Sequence, residues 1–173
     1  MTPVPRPALQ TVRTGKMGGV RGYDGGKHIK GRKRHTAVDT LGLPIAVTIT
    51  AANVHDLLGG TKSLIRVSSF LGECKLKKIY ADGAYAAESF RAWVKKKFDA
   101  IVRISKNLAQ KFKAFVPVSQ RWGIERSFSW WYDYCSLTID YERTIKSSRS
   151  MLRLAAIRLI LNRLAPNELE ADW

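Results

Sequence analysis

Lys77-Lys78-Ile79-Tyr80-Ala81-Asp82-Gly83 reads as a short apolar strand that stops at an Asp-Gly turn, and its neighbours decide the fold class. Downstream, Ala86 to Lys97 puts Phe90, Trp93 and Val94 on one helical face, and Phe98 to Ile104 alternates well enough for another strand. Strand, helix and strand in succession form a unit of an α/β sheet. Upstream, Thr36, Val38 and Thr40, then Leu43 to Thr50, are β-branched runs on either side of Leu41-Gly42. They predict a β-hairpin within His35 to Ala51. Asp56 is the expected cap of a helix through about Leu71, with Leu57, Leu58, Leu64, Ile65 and Leu71 near helical spacing.

Two helices close the pattern. The first starts near Ser119, a suitable N-cap, and runs to about Tyr134; Gly123 inside it costs roughly 1 kcal/mol relative to Ala. The second is Ser147 to Leu164. Its Leu154, Ile157, Leu161 and Leu164 recur at 3-4-3 spacing and are expected to pack on the sheet, with the arginines outward. The whole reads as an α/β fold, a mixed sheet flanked by helices. Residues 1–20 are expected as an extended or flexible segment, 21–165 as the folded domain and 166–173 as a tail.

Charge narrows the function class. Thirty Lys and Arg against fourteen Asp and Glu give a net charge of +16 and a pI near 10.2. Such a surplus favours a polyanionic partner, with nucleic acid first. The densest run is Lys27 to His35, KHIKGRKRH. Two cysteines, Cys74 and Cys135, have no C-x-x-C spacing, which argues against a zinc or disulfide framework and fits a reduced, cytoplasmic setting. The start lacks the apolar stretch of a secretory signal. Arg153, Arg158 and Arg163 interrupt the most apolar stretch, Met151 to Leu164, so a membrane span is not expected.

Two carboxylates stand where chemistry gathers. Asp82 sits at the end of a strand, where the following loop leaves a crevice in α/β sheets. An Asp-Gly pair is equally a turn former. Glu125 lies on a helix between Arg121 and Arg126, fit for an ion pair or for metal ligation beside a phosphate. Spacing leaves both pairs of alternatives open.

Arg21-Gly22-Tyr23-Asp24-Gly25-Gly26-Lys27 is followed in order by Lys30-Gly31-Arg32-Lys33-Arg34-His35, Val38-Asp39-Thr40-Leu41-Gly42 and Ala52-Asn53-Val54-His55-Asp56. Tyr80-Ala81-Asp82-Gly83, then Arg121 to Trp130, then Asp140-Tyr141-Glu142-Arg143 complete the series. This ordered set, from about Gln10 to Leu164, resembles the transposases of the insertion sequence 5 family, a branch of the DDE transposases. The resemblance implies a ribonuclease-H-like fold in which three carboxylates hold two Mg2+ or Mn2+ ions. It implies cleavage at a transposon end and strand transfer into target DNA, without a covalent protein intermediate. Asp82 matches the second carboxylate and Glu125 the third, each a metal ligand. The first belongs to a segment reading approximately Asp-Ser-Gln-Thr/Ser-Val-Lys/Arg-Thr. Here Gln10-Thr11-Val12-Arg13-Thr14 fits its end, and Ala8 occupies the Asp position. Met1 to Leu9 shows no likeness, a pattern that a truncated or frame-shifted gene copy would produce; the region that usually contributes DNA-end recognition is not expected in this chain.

With that resemblance, Lys27, Lys30, Arg32, Lys33 and Arg34 are expected to contact DNA phosphates, with Arg121 and Arg126 clamping a phosphate beside Glu125. Trp122, Trp130 and Trp131 are expected in the core ahead of stacking on flipped bases. Asp24 is expected as a turn residue, Asp39 at a strand end, and His28, His35 and His55 as solvated or capping. Asp140-Tyr141-Glu142 matches a family signature without a chemical role. The expected partners are transposon ends and target DNA, with a homodimer allowed, no membrane, and a bacterial, nucleoid-associated location. The rivals are an inactive DNA-binding fragment and a basic RNA-binding protein.

Overall fold

The computed structural model describes residues 5–16, 19–72, 76–81, 83–104 and 119–165, with only the backbone described for 119–124. Strands β1 (Arg6–Arg13), β2 (Gly22–Asp24), β3 (Ile29–Val38) and β4 (Pro44–Ala51) precede helix α1 (Asp56–Leu71). Strand β5 (Lys78–Ala81), helix α2 (Glu88–Phe98) and strand β6 (Ile101–Ile104) follow. Helices α3 (Ser119–Tyr132), α4 (Cys135–Thr138) and α5 (Ile145–Leu164) close the fold.

β3 is central to the antiparallel half. It pairs with β1 from Gly31↔Arg13 to Val38↔Arg6 on one edge and with β4, then β2, on the other. The β3–β4 hairpin turns where expected, with Gly42 at φ 84 and the Asp39 carboxylate accepting from the Leu41 and Leu43 amides. A positive φ carries no steric penalty at glycine. β5 and β6 pair in parallel around α2. The Tyr80 amide donates to the Pro5 carbonyl at 3.3 Å and sets β5 beside β1. The parallel β5-β6 pair thus lies beside the β1 edge of the antiparallel sheet, and together they make a mixed β layer. Residues 6–13, expected within a flexible segment, instead form a strand inside it. Their β-sheet partner is β3, whose basic sequence had concealed it.

That basic run is the main correction. Arg32 and Arg34 are 0% and 1% exposed, and Lys33 is buried as well. Alternation along β3 sends Lys33 and His35 toward α1 and Arg32 and Arg34 toward α3–α5. Arg32 Nη1 donates to Asp140 Oδ1 at 3.0 Å, Nε to the Val20 carbonyl at 2.8 Å and Nη2 to the Arg143 carbonyl at 3.2 Å. Arg34 Nη1 donates to the Leu137 carbonyl at 2.8 Å. Lys33 Nζ donates to Asp56 Oδ1 at 2.7 Å and to the Val54 carbonyl at 3.0 Å. Each cation is matched by oxygen, which makes its burial tolerable.

Asp140 receives more than Arg32. The Ser148 hydroxyl donates to Oδ2 and the Glu142 amide to Oδ1 at 3.1 Å. Its own amide donates to the Arg13 carbonyl at 2.8 Å, and its carbonyl accepts from the Gly15 amide at 2.9 Å. The family signature at Asp140 is thus a structural anchor that binds the end of β1, β3 and the start of α5.

Two helices turn a different face inward than their leucines suggest. α1 buries Gly59, Gly60, Ser63, Leu64 and Val67 and exposes Leu58 and Ile65. A Cβ on Gly59 would lie 2.1 Å from the His35 ring and one on Gly60 2.2 Å from the Tyr85 ring, so glycines admit the helix. Its N-cap is His55, whose Nδ1 accepts from the Leu57 amide, and Asp56 is spent on Lys33. α5 buries Ser148, Leu152, Ala155 and Ala156, while Leu154, Ile157, Leu161 and Leu164 face solvent. Leu152 meets Val47 and Ile49 of β4, with Trp131 and Leu137, in one core cluster; the small Ser and Ala residues permit that approach. α2 follows the expectation, joining Phe90, Val94 and the partly buried Trp93 to Tyr85, Ile79 and Leu64 in the other cluster. No helix of the described residues is long and apolar enough to cross a membrane.

Asp140→Ala strands the Arg32 guanidinium in the interior and is expected to cost about 3–5 kcal/mol in denaturant unfolding. Arg32→Met with Asp140→Leu, which leaves no buried charge, should cost less than Asp140→Ala alone. A double variant as unstable as the two singles summed would show that the pair is not coupled.

His35, expected at the surface or as a cap, is buried, with Nε2 2.9 Å from Thr50 Oγ1. Burial pushes the ring down to about 4 from 6.5; Asp56 opposes this and Lys33 and Lys62 add to it. The folded state keeps the ring neutral in a range where the unfolded chain protonates it. Stability present above about pH 6.5 is therefore lost as pH falls to about 4, by up to about 3 kcal/mol. Urea unfolding across this range should show a pH slope for the parent chain that His35→Gln reduces; equal slopes would refute a buried neutral ring.

Candidate nucleic-acid-processing site

The residues expected from the resemblance fall on β1, directly after β5, and on α3. On β1, Ala8, Gln10 and Val12 share one face. Gln10 Oε1 accepts from Arg34 Nη1 at 3.4 Å, and Arg34 reaches the Leu137 carbonyl, so the Ala8 face is the one covered by the closing helices. Ala8 is 3% exposed and lies opposite Thr36 of β3. β5, the neighbour of β1, ends at Ala81. Asp82 follows directly and lies outside the described residues.

Glu125 is exposed on α3 and lines an open concavity of about 540 Å³ with Leu9, Gln10, Thr11, Lys27 and Tyr132. The structure therefore brings Glu125 to the β1 segment that carries the Gln-Thr-Val motif, and places Lys27 at the same opening. Thr11 extends this edge through a hydrogen bond that spacing did not reveal. Its Oγ1 donates to Asp24 Oδ2 at 2.7 Å, while Asp24 Oδ1 accepts from the Gly26 and Lys27 amides at 3.1 and 3.2 Å. Burial alone would raise the Asp24 carboxyl; the Thr11 hydroxyl, the Lys27 and Gly26 amides and the Lys33 charge hold it below its ordinary value. Asp24 is thus a turn-forming carboxylate, as expected, with its oxygens already engaged.

Among the described residues, the donor set does not fit a pair of divalent ions. Such ions take several carboxylate oxygens beside phosphate and water. Glu125 offers a carboxylate, Ala8 offers a methyl group, and Asp82 is outside the described residues. Among those residues no group of three His, Cys, Asp or Glu side chains converges.

The expected phosphate-contacting cations divide. Lys27 and Lys30 are exposed on and beside the β2–β3 turn. Arg32, Lys33 and Arg34 are not at the surface, for the reasons given above. Arg126 remains beside Glu125, with Nη2 donating to the Leu41 carbonyl and its guanidinium 5.0 Å from the Trp130 ring centroid. Arg163 approaches the same ring at 4.3 Å, so Trp130 is covered by guanidinium groups. Trp131 is buried in the core, as expected. The side chains of Arg121 and Trp122 lie outside the described set.

Comparisons with known proteins agree with this layout. The catalytic core domain of HTLV-2 integrase, solved in complex with magnesium in a trimeric form, superposes with a TM-score of 0.52 at 14% identity. The overlap covers 91% of this chain and 84% of that one. The simian T-cell lymphotropic virus intasome, solved with the PP2A regulatory subunit B56 gamma, gives 0.55 at 16% identity over 98% of this chain and 49% of that one. The chain thus spans about half of that second protein. At these identities the likeness is one of fold, and the fold is ribonuclease-H-like. No curated protein matches the sequence. The sequence profile described as "Transposase DDE domain" matches residues 9–160, beginning directly after Ala8. That match spans most of the chain, and the chain belongs to the Transposase DDE domain family.

Proposed function

We propose that the chain is the ribonuclease-H-like part of an insertion-sequence transposase of the insertion sequence 5 type, with an incomplete catalytic set. It holds DNA and does not by itself cleave or join it. The observation that carries this reading is Ala8, a buried methyl on the strand that faces the closing helices, where the family's first Asp is expected. Asp82 and Glu125 remain as the second and third carboxylates of the family motif. Without the first, no step of displacement at phosphorus is assigned to this chain.

The residues that act on DNA in this reading are Lys27 and Lys30, with Arg126 and Arg121 flanking Glu125. Lysines bind phosphates as point charges, so the affinity is sequence-neutral and salt-dependent. Family membership favours DNA over the RNA-binding alternative. The burial of Arg32 and Arg34 removes them from the DNA surface and leaves Lys27 and Lys30 as the exposed cations of that basic run.

The parent chain should bind duplex DNA, and Lys27→Glu with Lys30→Glu should lower the slope of log affinity against log salt by roughly 0.9 for each phosphate no longer neutralised. An unchanged slope would remove the turn from the DNA surface. With magnesium present, the parent chain should not nick a DNA end. Ala8→Asp with Leu9→Ser should gain nicking that Glu125→Ala abolishes. The new buried carboxylate should also lower the melting temperature without metal, and magnesium should restore it in that variant alone. Robust cleavage by the unmodified chain would overturn the proposal.

A further inference from the structure

Guanidinium groups from two helices meet on one indole. Arg126 and Trp130 are one turn apart and share a face of α3, with the Arg126 guanidinium carbon 5.0 Å from the ring centroid. Arg163, in the last turn of α5, lies 4.3 Å from the same centroid. The negative end of α5 favours a cation in that turn, but a solvated lysine would meet that need equally. What the dipole does not require is a guanidinium laid over a tryptophan of the neighbouring helix. Stacked there, the planar fork keeps its N–H groups, which lie in its own plane, for a second partner.

Like charges held this close oppose each other. Burial first, then the Arg163 charge, lower the Arg126 guanidinium from its ordinary value, and Asp39 opposes this. Asp39 Oδ1 is already engaged by the Leu41 and Leu43 amides. Among the described residues, no carboxylate forms a salt bridge with Arg163. Arg126 Nη2 donates to the Leu41 carbonyl and the Ser127 hydroxyl to the Gly42 carbonyl, so α3 is pinned to the β3–β4 turn and the indole is fixed in place.

The patch adjoins the concavity beside it. Glu125 and Ser129, also one turn apart, line that concavity with Lys27. Arg126 and Trp130 each follow them by one residue, about 100° around the helix. The two faces lie within the roughly 10 Å breadth of a helix, about three nucleotides of one strand. A strand leaving the concavity over α3 therefore arrives at the two arginines, whose forks match phosphate oxygens.

We propose that Arg163, with Arg126, binds the phosphodiester backbone of DNA beyond the Glu125 concavity, and that Trp130 is the pedestal that holds both guanidinium groups for it. The inference rests on the DNA-binding reading above and extends it to the end of α5. Trp130 is then a positioning residue: its ring is taken by arginine and does not stack on a base.

The test measures duplex affinity against salt, with circular dichroism and melting temperature as folding controls. Arg163→Gln should lower the slope of log affinity against log salt by about 0.9, the loss of one phosphate contact. Arg163→Lys, which keeps the charge without the planar fork, should retain the parent slope and lose affinity. Lys96→Gln removes an exposed cation of α2, the helix of the other core cluster, and should change neither. Trp130→Leu keeps both arginines and should lower affinity several-fold on duplexes of any sequence; Trp130→Phe should recover most of it. A parent slope in Arg163→Gln, in a chain whose slope Lys27→Glu with Lys30→Glu still lowers, would overturn this inference and leave the DNA reading standing. A parent chain that binds no DNA would remove both. A Trp130→Leu defect confined to single strands would overturn the pedestal role, because the indole would then be stacking on bases.

Discussion

A guanidinium and a carboxylate removed from water together hold the sheet and the closing helices in one register. Desolvating either ion is costly, and their attraction repays that cost only when the remaining donors and acceptors are also filled. Arg32 fills its own on Asp140 and the Val20 and Arg143 carbonyls, and Asp140 completes its set with Ser148 and the Glu142 amide. The arrangement is intolerant of sliding. A one-residue slip of β3 would turn Arg32 and Arg34 toward α1 and present Lys33 and His35 to the closing helices. Because β1 pairs with β3 along its whole length, the same ion pair sets the position of Ala8 and of the neighbouring β5.

Much of the fold was legible locally. The β3–β4 hairpin, the β5-α2-β6 unit and the bounds of the helices follow from turn chemistry and apolar period, which act over a few residues. What was not legible depends on partners far along the chain. Lys27 to His35 looks solvated because nothing nearby neutralises it; the Asp140 that does so lies 108 positions from Arg32. The inward faces of α1 and α5 differ from expectation for another reason. Each helix offers two stripes at helical spacing, one of large aliphatics and one of Gly, Ser and Ala. Hydrophobicity favours the first, but close approach to a crowded sheet selects the second where His35, Tyr85 and Trp131 already supply the bulk.

The site was legible as an ordered series of motifs more than as geometry. Asp82 and Glu125 are each ambiguous in isolation, and Glu125 gains meaning from standing at the Gln10-Thr11 edge of β1. In the proposed reading, the burial of Ala8 explains how the fold persists without a carboxylate there. An Asp buried there without a cation would carry an uncompensated charge or a raised pKa, whereas a methyl group in a strand interior imposes neither cost. Catalytic residues of this kind oppose stability, so their loss leaves the scaffold intact. Fold and chemistry are separable here, and a ribonuclease-H-like sheet alone says little about cleavage.

The charge of the chain has to be divided in the same way. Arg32 and Lys33 are balanced by Asp140 and Asp56 and add nothing to the +16 surplus, and Arg34 adds its charge from the interior. Others serve the helices that bear them: Lys95, Lys96 and Lys97 stand in the last turn of α2, where the helix dipole favours positive charge. Of the basic run Lys27 to His35, Lys27 at the β2–β3 turn lines the concavity with Glu125, and that turn is held by Asp24. The same carboxylate accepts from Thr11 on the edge of the concavity and from the Lys27 amide. These hydrogen bonds keep Asp24 ionised to lower pH than usual despite partial burial, so the turn keeps its acceptor in more acidic solution than an ordinary carboxylate would allow. A lysine is thereby positioned against the strand that carries Ala8, the pairing of features on which the proposed reading of this site rests.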